Sequence, residues 1–306
     1  MAKGYVERVY EQMRKDINDL SRETELEILK AYKVAGNDLV KKFRRYRSGS
    51  ATRAYYASYT RALNSEMTKV INRLGLTAAE ITVDVQRLMS EKIFKKAGIY
   101  NTLVGNFMQS YGKIPERAMS RIISGNIYKD ATTLSSRIWG TSLRAGNDIQ
   151  RVVTSGLANK LSASQMAKTL EAYVDSSVRR TWNNDKIRSV LGDGYADWNN
   201  NLEYNSLRLA RTTITHASQL AHVDSCRANP YIKSVQWNSV FAHGRTCEIC
   251  RERNGKIFLL DDVPLDHPNG LCYQTAVLEK SLDDIADDLK RRVDDPNITD
   301  ILEDWG

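Results

Sequence analysis

The chain has 306 residues, 45 Lys+Arg against 37 Asp+Glu for a formal net charge of +8, and a hydrophobic fraction of 42%. That length and composition fit about two globular domains and argue against wholesale disorder. No apolar run of about 18 residues occurs and the opening MAKGYVERVYEQMRK has no apolar signal core, so the sequence reads as a soluble protein of a cytosol-like compartment, with no membrane partner.

The charge is unevenly placed. Residues 1–200 hold 33 basic and 20 acidic side chains, a surplus of +13, whereas residues 201–306 hold 12 and 17, a deficit of −5. All four Cys and all four His lie between His216 and Cys272, and Pro115 is the only proline before Pro230.

With so little to interrupt it, the first part reads as helix. Val6, Val9, Tyr10, Met13, Ile17 and Leu20 form one amphipathic stripe. Thr24 and Glu27 have capping-box spacing, which predicts a new helix carrying Ile28, Tyr32, Ala35, Leu39 and Phe43. Thr77 and Glu80 predict another start, ahead of Ile81, Val85 and Leu88, with Gly98 as its stop. Ser162 and Gln165 repeat the device before Met166 and Leu170.

Between Leu39 and Ser65 there is no acidic residue, but there are Lys41, Lys42, Arg44, Arg45, Arg47, Arg53 and Arg61, interleaved with Phe43, Tyr46, Tyr55, Tyr56 and Tyr59. Two readings fit this stretch. Basic heads can neutralise phosphates while aromatics stack on bases, giving a nucleic-acid or acidic-partner surface. Alternatively the aromatics are core and the basic heads are simply solvated at the end of long stems.

After residue 200 the pattern changes. Residues 208–222 still look helical, with Leu209, Thr213, His216 and Leu220 on one face. Beyond Pro230, Ile232, Val235 and Trp237 sit among polar residues and predict a strand; Asn254-Gly255 is a turn signal before a second strand at 256–260, and Cys272–Leu278 makes a third. From Ser281 the acids Asp283, Asp284, Asp287, Asp288, Asp294, Asp295, Asp300, Glu303 and Asp304 outweigh Lys290, Arg291 and Arg292, which predicts a short helix and then a solvated terminus. The expected fold is thus mainly α: a basic helical body at 1–154, a small α+β domain at 155–280 with a short antiparallel sheet stabilised by zinc, and an acidic tail at 281–306.

The cysteines have metal-ligand spacing. Cys247 and Cys250 are separated by two residues, and His267 and Cys272 follow. Two thiolates from a tight turn and a His/Cys pair from across a hairpin would complete a closed Cys3His tetrahedron, which implies a structural zinc without an open catalytic position. Such an ion contributes roughly 10–16 kcal/mol of apparent stabilisation at neutral pH. Disulfides are the competing reading, disfavoured where thiols stay reduced. Cys226 reads as a buried thiol, His216 and His222 as core or surface residues, and His243 as at most a stray ligand.

The run Arg211-Thr-Thr-Ile-Thr-His216, then VQWNSV, RTCEICRERNGKIF and VPLDHPNGLC, resembles the phage head morphogenesis family, minor head proteins related to the F protein of phage Mu. The resemblance covers roughly residues 155–278, with GLANKLSASQMAKTLEAYV similar to the family's upstream helix. Two positions depart from the pattern: Gly270 stands where many relatives carry a cysteine, and His243-Gly244 stand where an acidic residue is expected. The resemblance implies a non-enzymatic minor capsid protein of a tailed phage, located at the portal vertex of the head and in the host cytoplasm during assembly. Its implied partners are the portal and other head proteins, with no small-molecule substrate. The basic half adds the expectation of non-specific contact with double-stranded DNA. Two other readings compete: a metal-dependent HNH-type nuclease, suggested by Asp266-His267-Pro268 near a Cys-x2-Cys, and a zinc-stabilised DNA-binding protein unrelated to virions.

Overall fold

The computed structural model describes residues 4–45, 52–99, 102–158, 202–241 and 246–293. Among them the chain forms helices α1 (Tyr5–Arg45), α2 (Thr52–Ala97), α3 (Thr102–Tyr111), α4 (Ile114–Ser124), α5 (Leu134–Ala158), α6 (Leu202–Arg227), α7 (Glu248–Arg253) and α8 (Leu282–Val293), with strands β1 (Ile232–Asn238), β2 (Ile257–Leu259) and β3 (Tyr273–Leu278). The protein is mainly helical with a small antiparallel sheet, as the sequence patterns predict. None of the described helices is long and apolar enough to cross a membrane. The capping box at Ser162 with its helix, Arg47, His243 and Gly244, and the acids from Asp294 onward lie outside the described residues.

Two predicted helix starts are corrected. Thr24 is a fully buried residue in the interior of the 41-residue α1. No Gly or Pro lies between Leu20 and Thr24 to break the chain, so the backbone keeps its own i→i−4 bonds and the two apolar stripes run through one rod. Thr77 lies inside the 46-residue α2, and its hydroxyl donates back to Arg73 O at 3.1 Å, the mid-helix habit of threonine rather than a cap. The predicted stop holds: Gly98 has φ +74°, Gly98 N–H donates to Lys95 O and Ile99 N–H to Phe94 O, closing α2 with a left-handed glycine.

The chain divides into two compact units, each assembled from separate stretches: Met1–Ser21 with Arg73–Ile127 and Arg211–Gly306, and Arg22–Asn72 with Tyr128–Ala210. In the second unit Ile28, Tyr32, Leu63, Met67, Ile138 and Ile149 are buried, and Tyr32 Oη and Ser206 Oγ share a 2.6 Å hydrogen bond. In the first, Tyr10, Met13, Val85 and Met89 form a core cluster with Val6, Val9, Ile17 and Ile81 packed around it.

The sheet, in the first unit, has the order β2-β1-β3, all antiparallel. Ile232, Val235 and Trp237 are buried, as the pattern predicts. The odd step from Ile232 to Val235 is absorbed by a register shift between Ile232 and Ser234 against β3, so both side chains reach one face. The Asn254-Gly255 turn is present ahead of β2, as the pattern predicts, with Gly255 at φ +78°, and it connects α7 to that strand.

Candidate metal centre

Cys247 is the N-cap of α7. Its extended backbone aims the sulfur at the helix start, where it accepts the Cys250 N–H at 3.4 Å. Cys250, one turn on, is buried in a cluster with Trp237 and Cys272, with Cys247 and Phe258 packed against it. Cys272 enters just ahead of β3, and its sulfur lies 3.4 Å from that of Cys250. All four cysteines are free thiols, so the disulfide reading is not the one this structure adopts.

The donor atoms form two overlapping groups, each lying within 4.8 Å: Cys247, Cys250 and His267, and Cys250, Asp266 and Cys272. The four residues named by spacing therefore come together around Cys250, joined by one carboxylate that spacing did not name. The cluster could hold a metal ion. Its chemistry fits zinc: three thiols and an imidazole, and a His267 ring whose Nδ1 lies 3.1 Å from Pro268 O. With Nδ1–H donating to that carbonyl, the Nε2 lone pair is left for a metal. The Cys250 N–H, then the Cys250 thiol and His267, hold the Cys247 thiol below its ordinary pKa against the opposing effect of burial. Burial pushes Cys250 up, reinforced by the thiols of Cys247 and Cys272 and the charge of Asp266. A cation would reverse that second shift, because a metal-bound thiol is deprotonated.

The residues from 266 to 272 are held by α6. Gln219 accepts the Asp266 N–H through Oε1 and donates to Cys272 O through Nε2, both at 3.0 Å, so one amide ties both ends of the loop. His216 Nε2 lies 3.0 Å from Asp266 O, and Thr215 Oγ1 donates to Gly270 O at 2.9 Å. Thr212 Oγ1 accepts the Asn269 N–H, and Arg211 donates to Asn269 Oδ1. Asp266 completes the arrangement from within: Oδ1 accepts the His267 N–H at 2.8 Å and Oδ2 the Cys272 N–H at 2.9 Å. Gly270 stacks against that carboxylate so closely that a Cβ there would collide with it.

Sequence reasoning missed these supports. Thr212, Thr215, His216 and Gln219 recur at i, i+3, i+4 and i+7, a helical face that is polar where a core face would be apolar, and that was the available signal. Of the core and surface roles left open for His216 and His222, both take the core: His216 is buried and contacts the metal loop, and His222 is buried elsewhere in this unit; Cys226 is buried as expected, packed under Ile232 and Val235.

Of the basic residues singled out between 41 and 61, Lys41 and Arg61 are exposed on α1 and α2. Lys42, Arg44, Arg45 and Arg53 lie within those helices. Tyr56 and Tyr59 are buried, so these two aromatics serve the core and are not free to stack on bases.

The cysteine-rich loop and the polar helix face that braces it lie within the segment that comparison with known proteins picks out. Residues 147–273 match the family described as Phage Mu protein F like protein, so the likeness read from the motifs is shown over that segment. The match points to a phage head morphogenesis protein. No curated protein and no solved structure matches the chain.

Proposed function

We propose that this chain is a minor capsid protein of a tailed phage that works at the portal vertex, taking part in procapsid assembly and in handling packaged DNA. The carrying observation is the family match over residues 147–273, which ends at Tyr273, the first residue of β3, and so takes in the whole cysteine loop and its bracing helix α6. The centre in that segment serves as architecture: a structural zinc clips α7, the loop at 266–272 and the start of β3 together, so that a three-stranded sheet with little core of its own becomes a rigid platform. No water-activating role is assigned to it, and the protein is read as non-enzymatic. Exposed Lys41 and Arg61, within a stretch free of acids, supply the charge that would face phosphate backbone or an acidic portal surface.

The test is co-purification. Expressed with its cognate portal, the chain should elute with it, and mature particles should contain it at a copy number near that of the portal. Absence from particles, together with selection of a preferred DNA sequence, would favour a non-virion DNA-binding protein. Cleavage of plasmid with magnesium or manganese, lost in His267→Ala, would favour the nuclease.

A further inference from the structure

We propose that Asp266 is a ligand of the metal in this centre, supplying a carboxylate oxygen on its buried side. This rests on the reading of the Cys cluster as a metal site and changes its donor set: the ion sits on the thiolates of Cys247, Cys250 and Cys272 with Asp266 as the fourth donor, and His267 stands at the rim.

Three observations carry it. First, Cys272 keeps company with Asp266 and not with His267. The group of donors within 4.8 Å that contains Cys272 is Cys250, Asp266 and Cys272, all three buried, and Asp266 Oδ1 is 3.8 Å from Cys250 Sγ. His267 belongs to the other group, with Cys247 and Cys250, and its side chain is 40% exposed.

Second, the Asp266 side chain is 0% exposed, and among the described residues no lysine or arginine pairs with it; its neighbour is the His267 ring, with Nε2 3.8 Å from Oδ1. A carboxylate taken out of water is costly unless a cation or strong hydrogen bonds compensate it. Two backbone N–H groups do part of this, one on each oxygen, yet each oxygen keeps a further lone pair, and Oδ1 faces the sulfur of Cys250. Arg253, the nearby guanidinium, is engaged elsewhere, over the Trp237 ring at 5.1 Å and on Leu265 O at 3.2 Å. Thiols and a carboxylate converging with no lysine or arginine among them is the charge pattern of a cation site.

Third, the loop is shaped around this carboxylate. Gly270 gives it the room that any side chain would fill, and Gln219 fixes the backbone of Asp266 and Cys272 at the two ends, so the oxygen is aimed before an ion arrives. Oxygen donors at about 2.0–2.2 Å are compatible with zinc, so the exchange of imidazole for carboxylate keeps a tetrahedral site.

The experiment uses the full chain loaded with Zn2+, and with Co2+ as a spectroscopic stand-in, in wild type, Asp266→Asn and His267→Gln. We expect H267Q to bind Zn2+ within about threefold of wild type and to give the same visible cobalt bands at saturation. D266N should lose more than about 100-fold in affinity, beyond the 10–100-fold typical of a residue that only orients ligands, and its cobalt bands should shift. The reverse result, with H267Q shifting the bands and D266N leaving them unchanged at saturation, would overturn the assignment and leave Asp266 as a tie for the loop. If D266N does not fold, H267Q alone decides, because His267 is at the surface and its replacement leaves the fold in place. A wild-type chain that binds neither ion would overturn the metal reading itself and this assignment with it.

Discussion

Replacing Gln219 with methionine tests whether the bracing helix or the metal alone shapes the loop. Methionine is nearly isosteric and keeps the packing, so the change removes two hydrogen bonds and little else. The two partners left behind, Asp266 N–H and Cys272 O, belong to buried residues. A buried polar group without a partner costs about 1–3 kcal/mol, so the pair sums to about 2–6 kcal/mol. In a domain of 150–250 residues each kcal/mol moves the melting temperature by about 2–4 °C, which places the expected drop near 10 °C. The assay is thermal unfolding by circular dichroism with zinc and again with a chelator. The drop should persist in chelator, because the strain lies in the polypeptide. Zinc affinity, read by competition with a chromophoric chelator, should fall as well, since the ligands are no longer held in place. Unchanged melting and unchanged affinity would refute the idea that α6 positions this loop.

Cys250→Ser removes the donor shared by both groups, so metal analysis of the full chain should fall from about one zinc to none, with a lower melting temperature for the first unit. Burial holds the His222 pKa down to about 4 from the ordinary 6.5, so the unfolded chain takes up a proton on this ring before the native one does. Its contribution is therefore complete above about pH 6.5, declines as pH falls from 6.5 to about 4, and levels off below; the loss is roughly 3 kcal/mol, and urea melts of wild type against His222→Gln should show that slope flattened in the variant. Gly270→Ala should cost about 1–3 kcal/mol and lower metal affinity, because the new methyl and the Asp266 carboxylate need the same space; metal binding equal to wild type would count against that crowding. Replacing Lys41 and Arg61 together by Gln should lessen the slope of log K against log salt for random-sequence DNA by about two, and a flat slope in wild type would remove the phosphate reading.

The helical character of the first part, the three strands and the gathering of cysteines were legible because each rests on local repetition: a 3.6-residue stripe, a two-residue alternation, a Cys-x2-Cys bite. Helix ends were less so. Thr24 and Thr77 have the spacing of caps, but a cap acts only where the chain has a reason to stop, and continuous apolar stripes give α1 and α2 none. The sheet was legible at Val235 and Trp237, whereas the shift at Ile232 depends on the partner strand. In the metal centre the thiols announced themselves, whereas Asp266 stood out only within the Asp266-His267-Pro268 run of a nuclease reading, and Gln219 not at all. A buried carboxylate next to a histidine looks like any surface Asp-His pair until the loop closes over it, and a glutamine in a helix carries no sign of the two backbone groups, 47 and 53 residues away, that it will hold.

One long-range bond bears on how the molecule is made. The Tyr10 hydroxyl accepts the N–H of Ala276, a residue 266 positions later, and Tyr273 and Ala276 pack on the same cluster as Tyr10 and Met13. A ribosome adding about 5–20 residues per second needs on the order of tens of seconds to travel that distance. Through that interval the apolar face of the first turns of α1 has its permanent neighbours on β3 still unsynthesised, and the first unit can close only after its sheet has emerged. Val85 and Met89 of α2 can cover part of that face early, but the side taken by Tyr273 and Ala276 stays open late in translation, so yield should respond to whatever shields it, a chaperone or an early-binding assembly partner.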